Sequence, residues 1–72
     1  MNVGDVVMFT NQNSRYAKWF LGQIGEIQSC GYASSGCLHF RIKWMQPIQY
    51  FDGFATISDF AAKNFEVYNE NA

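Results

Sequence analysis

The sequence predicts an all-β domain, a small barrel of five strands with one short helical turn before the last of them. Three observations carry this. From Leu38 to Met45 the even positions Leu38, Phe40, Ile42 and Trp44 are apolar while His39, Arg41 and Lys43 fill the odd ones, the period of a strand with one buried face. Asp52-Gly53, a dipeptide that favours a two-residue hairpin turn, stands between two strand-like segments. The remaining apolar segments are short and separated by turn-forming residues, and closure into a barrel is how a small all-β chain removes its sticky edges.

Val3 to Thr10 reads as the first strand, with Gly4-Asp5 as a turn at its start. Asn11-Gln12-Asn13-Ser14 is a polar loop. In Arg15 to Leu21, the positions of Tyr16, Trp19 and Phe20 follow helical spacing and Ser14 is available as an N-cap. Seven residues are too few for an independent helix, so a folded-over loop with one helical turn is expected. Gly22 to Ser29 reads as the second strand; Ile24 and Ile27 break strict alternation, which places a bulge or sharp bend at Gly25.

Cys30 and Cys37 frame a loop from Gly31 to Gly36, so the two sulfurs are expected to face each other across a hairpin. Two reduced, small apolar side chains are the principal reading. A disulfide and a zinc site that recruits His39 are the alternatives; six residues between the cysteines and three candidate ligands fit poorly to a four-ligand site.

Pro47 lacks an N–H and interrupts the third strand's ladder. Beyond it, Ile48 to Phe51 and Phe54 to Ile57 pair across Asp52-Gly53. That register places Ile48, Tyr50, Ala55 and Ile57 on one face, and Phe51 and Phe54 on the other with Gln49 and Thr56. Ser58 to Lys63 reads as a helical turn capped by Ser58, Asn64 ends it, Phe65 to Tyr68 is the last strand, and Asn69 to Ala72 is expected to fray.

The segments Val3-Gly4-Asp5-Val6-Val7-Met8-Phe9 and Leu21-Gly22-Gln23-Ile24-Gly25-Glu26-Ile27 resemble the opening of SH3-like barrels, KOW-type translation and transcription domains among them. Phe60-Ala61-Ala62-Lys63-Asn64-Phe65-Glu66-Val67 is similar to the turn and closing strand of that fold. The resemblance implies a single SH3-like barrel over residues 1–72. The chain lacks the basic clusters of KOW domains and the acidic, aromatic-rich groove pattern of signalling SH3 domains, so fold and function separate here.

Composition narrows the function. The chain of 72 residues is 49% hydrophobic, 18% aromatic and 15% charged, with a net charge of −1. This excludes a disordered charged tail, and no apolar run is long enough for a membrane-spanning helix. No signal-like leader opens the sequence, so a cytoplasmic protein is expected, and with Met1 at its start it reads as a complete small gene product. The titratable residues have structural roles in turns and caps, no nucleophile motif surrounds Cys30, Cys37 or His39, and Gly22-x-x-Gly25 lacks the lysine and helix of a phosphate loop. The chain reads as a non-enzyme without metal or cofactor.

Seven Phe, four Tyr and two Trp exceed what a barrel of this size encloses, about six to eight large side chains at protein packing density. The surplus marks a partner surface, with Trp19, Tyr32, Phe51 and Phe54 the candidates. The expected function is docking onto a protein partner, as a regulator or inhibitor of the kind small phage and plasmid genes encode, with self-association as another use of the surface. The alternative is a nucleic-acid or ribonucleoprotein module of KOW type. It would use the row His39, Arg41 and Lys43 with Arg15, Lys18 and Trp19, since Arg15, Lys18, Arg41 and Lys43 outnumber Asp5 and Glu26 in residues 1–45, whereas Asp52, Asp59, Glu66 and Glu70 outnumber Lys63 in residues 46–72.

Overall fold

A computed structural model describes residues 1–68. Its strands are β1 (Val6–Phe9), β2 (Ile24–Tyr32), β3 (Leu38–Tyr50), β4 (Gly53–Ala61) and β5 (Phe65–Val67), with a one-turn helix α1 (Ala17–Phe20) and a 3-10 turn (Ala62–Asn64) between β4 and β5. They form one antiparallel sheet in the order β4-β3-β2-β1-β5. No helix among the described residues is long and apolar enough to cross a membrane. The all-β class, the five strands and the short turn before the last strand agree with the sequence; the expected fraying of Asn69 to Ala72 lies outside the described residues.

The sheet is coiled tightly around its own buried face. Val7, Phe9, Ile27, Phe40, Ile42, Trp44, Ile48 and Phe65 project from four strands into one core, together with Phe20 of α1. Phe60 of β4 and Phe65 of β5 lie at opposite ends of the strand order, yet their ring centroids are 6.1 Å apart and both rings pack edge-on to Phe9, at 5.2 and 5.4 Å. Two edges can share one aromatic neighbour only if the sheet curls until they meet. Among the described residues no ladder joins β4 to β5, so side chains and the 3-10 turn bridge this seam. Each ring removed from water contributes about 1.5–3 kcal/mol, which explains how so short a chain sustains a core.

β3 keeps the alternation read from the sequence: Phe40, Ile42 and Trp44 are buried while Arg41 and Lys43 are exposed. Several other expectations are corrected. β2 alternates from Ile24 to Ile27, with Gly25 and Ile27 both buried. The irregularity falls at Gln28, where Ile27 faces Ile42 but Ser29 already faces Arg41. Gly25 instead marks a close approach. A Cβ there would collide with Ile42 Cγ2 and stand 2.9 Å from the Lys43 carbonyl oxygen, so only glycine lets β2 and β3 close at this point.

β3 runs unbroken through Pro47, although its ladder to β4 does break there. Lys43 faces Ile57 and Ile48 faces Ala55, so four residues of β3 oppose one of β4, an extended bulge that tolerates the missing N–H of Pro47.

The hairpin that follows turns one residue earlier than Asp52-Gly53 suggests. Tyr50 faces Gly53, Gln49 faces Phe54 and Ile48 faces Ala55, which leaves Phe51-Asp52 as the turn. Beyond the break in the ladder Ile57 faces the exposed Lys43, so it does not share the buried face of Ile48 and is exposed.

Ser58 caps no helix, because β4 continues to Ala61; its hydroxyl accepts a 3.0 Å hydrogen bond from the indole Nε1 of Trp44. Ser14 is not the N-cap of α1 either. Tyr16 holds that position, and the Ser14 hydroxyl accepts from the Tyr16 N–H at 3.1 Å, which turns the chain into the helix. Asn64 is the last residue of the 3-10 turn, as the sequence suggests, and is also a buried polar residue whose amide fastens the first loop to that turn.

Candidate functional site

Of the four aromatic side chains expected at a partner surface, the structure brings two together. α1 lays Trp19 against the β3–β4 hairpin, with ring centroids 4.8 Å from Tyr50 and 4.7 Å from Phe51. Tyr50 and Phe51 are themselves 4.5 Å apart, edge to face. Trp19 and Tyr50 are half-buried, whereas Phe51 is 65% exposed. Tyr16 extends the group inward, 6.2 Å from Tyr50 and 5.5 Å from Phe60. The Trp19–Phe51 pair therefore stands on a continuous aromatic column that reaches the core.

The backbone at Phe51 is unusual. Its φ is 54°, the left-handed region, and it is the one non-glycine residue with positive φ among the described residues. For a bulky side chain that conformation costs about 1–2 kcal/mol, and it persists where surrounding contacts over-determine it. Phe51 is the first residue of the two-residue hairpin turn, a position where turns of this length take positive φ, and its ring packs against Trp19 and Tyr50.

Beside this pair runs a cleft of about 400 Å³ lined by Trp19 and Phe51 with Lys18, Gln23, Gln46, Pro47, Ile48 and Gln49. Aromatic walls, three amide side chains and one cation suit a polypeptide surface, since the amides can donate to and accept from a main chain. The Lys18 ammonium lies 4.3 Å from the centre of the Trp19 ring, a cation–π contact.

Tyr32 and Phe54 belong to other surfaces. Phe54 faces Gln49, on the side of the hairpin opposite the inward pair Tyr50 and Gly53, and is 74% exposed. Tyr32 pairs with Leu38 at the far end of β3 and is also exposed.

The residues expected to form a basic row are less uniform than alternation suggests. Arg41 faces Asp59 on β4 and donates to both carboxylate oxygens, at 2.9 and 3.2 Å. The Arg41 hydrogen bonds hold the Asp59 carboxyl below the ordinary carboxylate range, and Asp59 in turn raises the guanidinium. The pair is exposed and its charges cancel. His39 is half-buried, and since a carbonyl only accepts, its Nδ1–H donates to the Cys37 carbonyl at 3.1 Å. Lys43 is exposed beside Ile57 on the neighbouring strand. Arg15 and Lys18 are exposed beside the aromatic column. Of the six residues considered for nucleic acid, Lys18 and Trp19 are in direct contact.

Cys30 and Cys37 are both exposed and unbonded. Cys30 faces Phe40 across the ladder while Cys37 lies in the turn, so the sulfurs do not oppose each other as the framing of the loop suggested. Cys30 and His39 line one shallow groove with Tyr32, Arg41 and Asp59. Among the described residues, no three His, Cys, Asp or Glu side chains converge as a metal site would require.

Tyr50, Gln23, Gln46 and Gln49 went unnoticed in the sequence as site residues. Tyr50 carries a strand-like signal and nothing more; its role follows from the register of the hairpin and the docking of α1, both long-range. No protein-family model matches the chain, and no curated protein or solved structure matches it.

Proposed function

We propose that this chain is a small non-enzymatic binding protein that docks onto a protein partner through the surface formed by Trp19 and Phe51. The observation that carries this reading is the exposed Phe51 ring, packed on Trp19 at 4.7 Å. Exposed aromatic side chains backed by rigid packing are the usual hot spots of protein interfaces. The adjoining amide-lined cleft supplies polar contacts at the rim. A regulator or inhibitor acting by occlusion needs nothing more than such a surface. An SH3-like barrel, as the opening and closing segments of the sequence suggest, is a frame on which many binding functions are carried.

The test is capture of partners from a lysate with tagged protein, with and without nuclease, using wild type and the Phe51→Asn and Trp19→Ala variants. The expected result is a specific protein that survives nuclease and is lost with either variant. Capture that both variants retain, with folding intact, places the interface elsewhere. Capture abolished by nuclease favours nucleic acid at Arg15, Lys18 and Trp19 instead.

A further inference from the structure

Building on the docking reading above, we infer that the partner is held through an extended, acidic segment of its chain. The main chain of that segment lies in the amide-lined cleft beside Phe51, and an Asp or Glu side chain of the segment meets Lys18. The cleft owes its existence to β3. The ladder to β2 ends at Trp44, and the ladder to β4 breaks after Lys43 and resumes at Ile48, so Met45, Gln46 and Pro47 have a partner in neither. Gln46 and Gln49 of this stretch and Gln23, the residue before β2, line the opening together with Trp19 and Phe51.

The polar groups of the cleft are unused by the fold. Elsewhere such side chains pair with each other: Gln28 with Glu26, Asn11 with Asn64, Arg41 with Asp59. Among the described residues, no side-chain hydrogen bond involves the amide of Gln23, Gln46 or Gln49. A carboxamide both donates and accepts, which matches the N–H and C=O of a peptide group. An extended segment leaves those groups open along its length, whereas a helix spends them internally. Lys18 is the one charged residue lining the cleft, and no carboxylate lines it. The one ion pair among the described residues joins Arg41 to Asp59, so Lys18 has no counter-charge in the fold. Its ammonium rests 4.3 Å from the centre of the Trp19 ring, which fixes it at the aromatic wall. A cation held in place without a counter-charge selects a carboxylate, through a charge-assisted hydrogen bond.

Selection on the full chain from a library of random linear peptides tests this. The peptides are fused at their carboxyl ends to a phage coat protein, so side chains supply their only carboxylates. The expected result is enrichment of sequences that carry an Asp or Glu, and binding of their synthetic, C-terminally amidated forms by titration calorimetry. Lys18→Gln weakens that binding at least about fivefold, Lys18→Arg retains it, and added salt weakens it. The double variant Gln46→Ala with Gln49→Ala weakens it as well. All three positions are exposed, and circular dichroism checks that each variant is folded. Failure to enrich any linear peptide, or enriched peptides that bind Lys18→Gln as well as wild type, overturns the inference. The docking reading still stands in that case if capture from a lysate depends on Trp19 and Phe51. Capture indifferent to both removes the docking reading and this inference with it.

Discussion

The side chains of Asn11 and Asn64, 53 positions apart in the chain, are joined by a 2.8 Å hydrogen bond from Nδ2 to Oδ1. Asn64 Nδ2 also donates to the Ala61 carbonyl, and its own backbone carbonyl accepts from Thr10. Asn11 in turn accepts from the Asn13 N–H. One buried residue thus joins the first loop and the 3-10 turn through its side-chain amide and the end of β1 through its backbone carbonyl. Asn64→Ala is expected to destabilise the fold by about 1–3 kcal/mol, since it leaves part-buried polar groups unpaired. Asn11→Ala costs less, because Asn64 keeps its bond to Ala61. Urea denaturation of both variants, read as midpoints at constant slope, checks the order.

Gly25→Ala is expected to be among the most damaging single substitutions, at about 3 kcal/mol, the upper end of overpacking. The added methyl meets Ile42 Cγ2, the Lys43 carbonyl oxygen at 2.9 Å and Trp44 Cε3 at 3.2 Å. Two of these belong to the packed core and the third to the main chain of β3, so none yields easily. Thermal denaturation followed in the near ultraviolet reads the loss of stability together with any loosening around Trp44.

At Phe51 the two determinants of stability can be separated. Phe51→Asn and Phe51→Ala both remove the ring, but asparagine tolerates the left-handed conformation that alanine resists. With φ at 54°, the asparagine variant is expected to be the more stable of the two by about 1 kcal/mol. Equal stabilities would show that the turn relaxes once the ring is gone. Both variants are expected to lose partner capture.

The Arg41–Asp59 pair has a pH signature. The folded state holds the Asp59 carboxyl below its ordinary range, near pH 3.9 for an unperturbed aspartate (about that value). The pair's contribution is therefore fully present above the unfolded value and disappears as pH falls through the lowered one. Asp59→Asn is expected to be slightly less stable than wild type at neutral pH, with the gap closing in acid. Both side chains are largely exposed, so the gap is small and shrinks with added salt. Melting temperatures of the two proteins between neutral pH and strong acid test the sign.

What could be read from the sequence was what its local pattern determines. Leu38 to Met45 alternates because one face of β3 is buried and the other wet, and that signal needs no knowledge of neighbours. Asp52-Gly53 is a good local turn, yet the hairpin closes one residue earlier, at Phe51-Asp52, where Phe51 also meets Trp19, a residue 32 positions away. Ser58 looked like a cap for a similar reason: its true partner is the Trp44 indole on the adjacent strand. Gly25 was correctly singled out as special, but a bulge and a close approach both select glycine, and only the positions of Ile42 and Lys43 distinguish them. The candidate site suffered most, since Trp19, Tyr50 and Phe51 meet only after α1 docks on a hairpin in the right register.

The pairing of β1 with β5 has a consequence for how the protein is made. Phe65 closes against Phe9, Phe40, Trp44 and Phe60, and Val67 faces Val7. During synthesis from the amino terminus, β1 emerges with one neighbour, β2, and has none on its other side until residues 65–67 leave the ribosome. The meander from β1 to β4 forms through local contacts, but its aromatic interior stays partly wetted until that final strand arrives, and long-range closure of this kind is a slow step. A translation pause before Phe65 would lengthen the life of an exposed aromatic intermediate, the state in which a nascent chain most needs a chaperone.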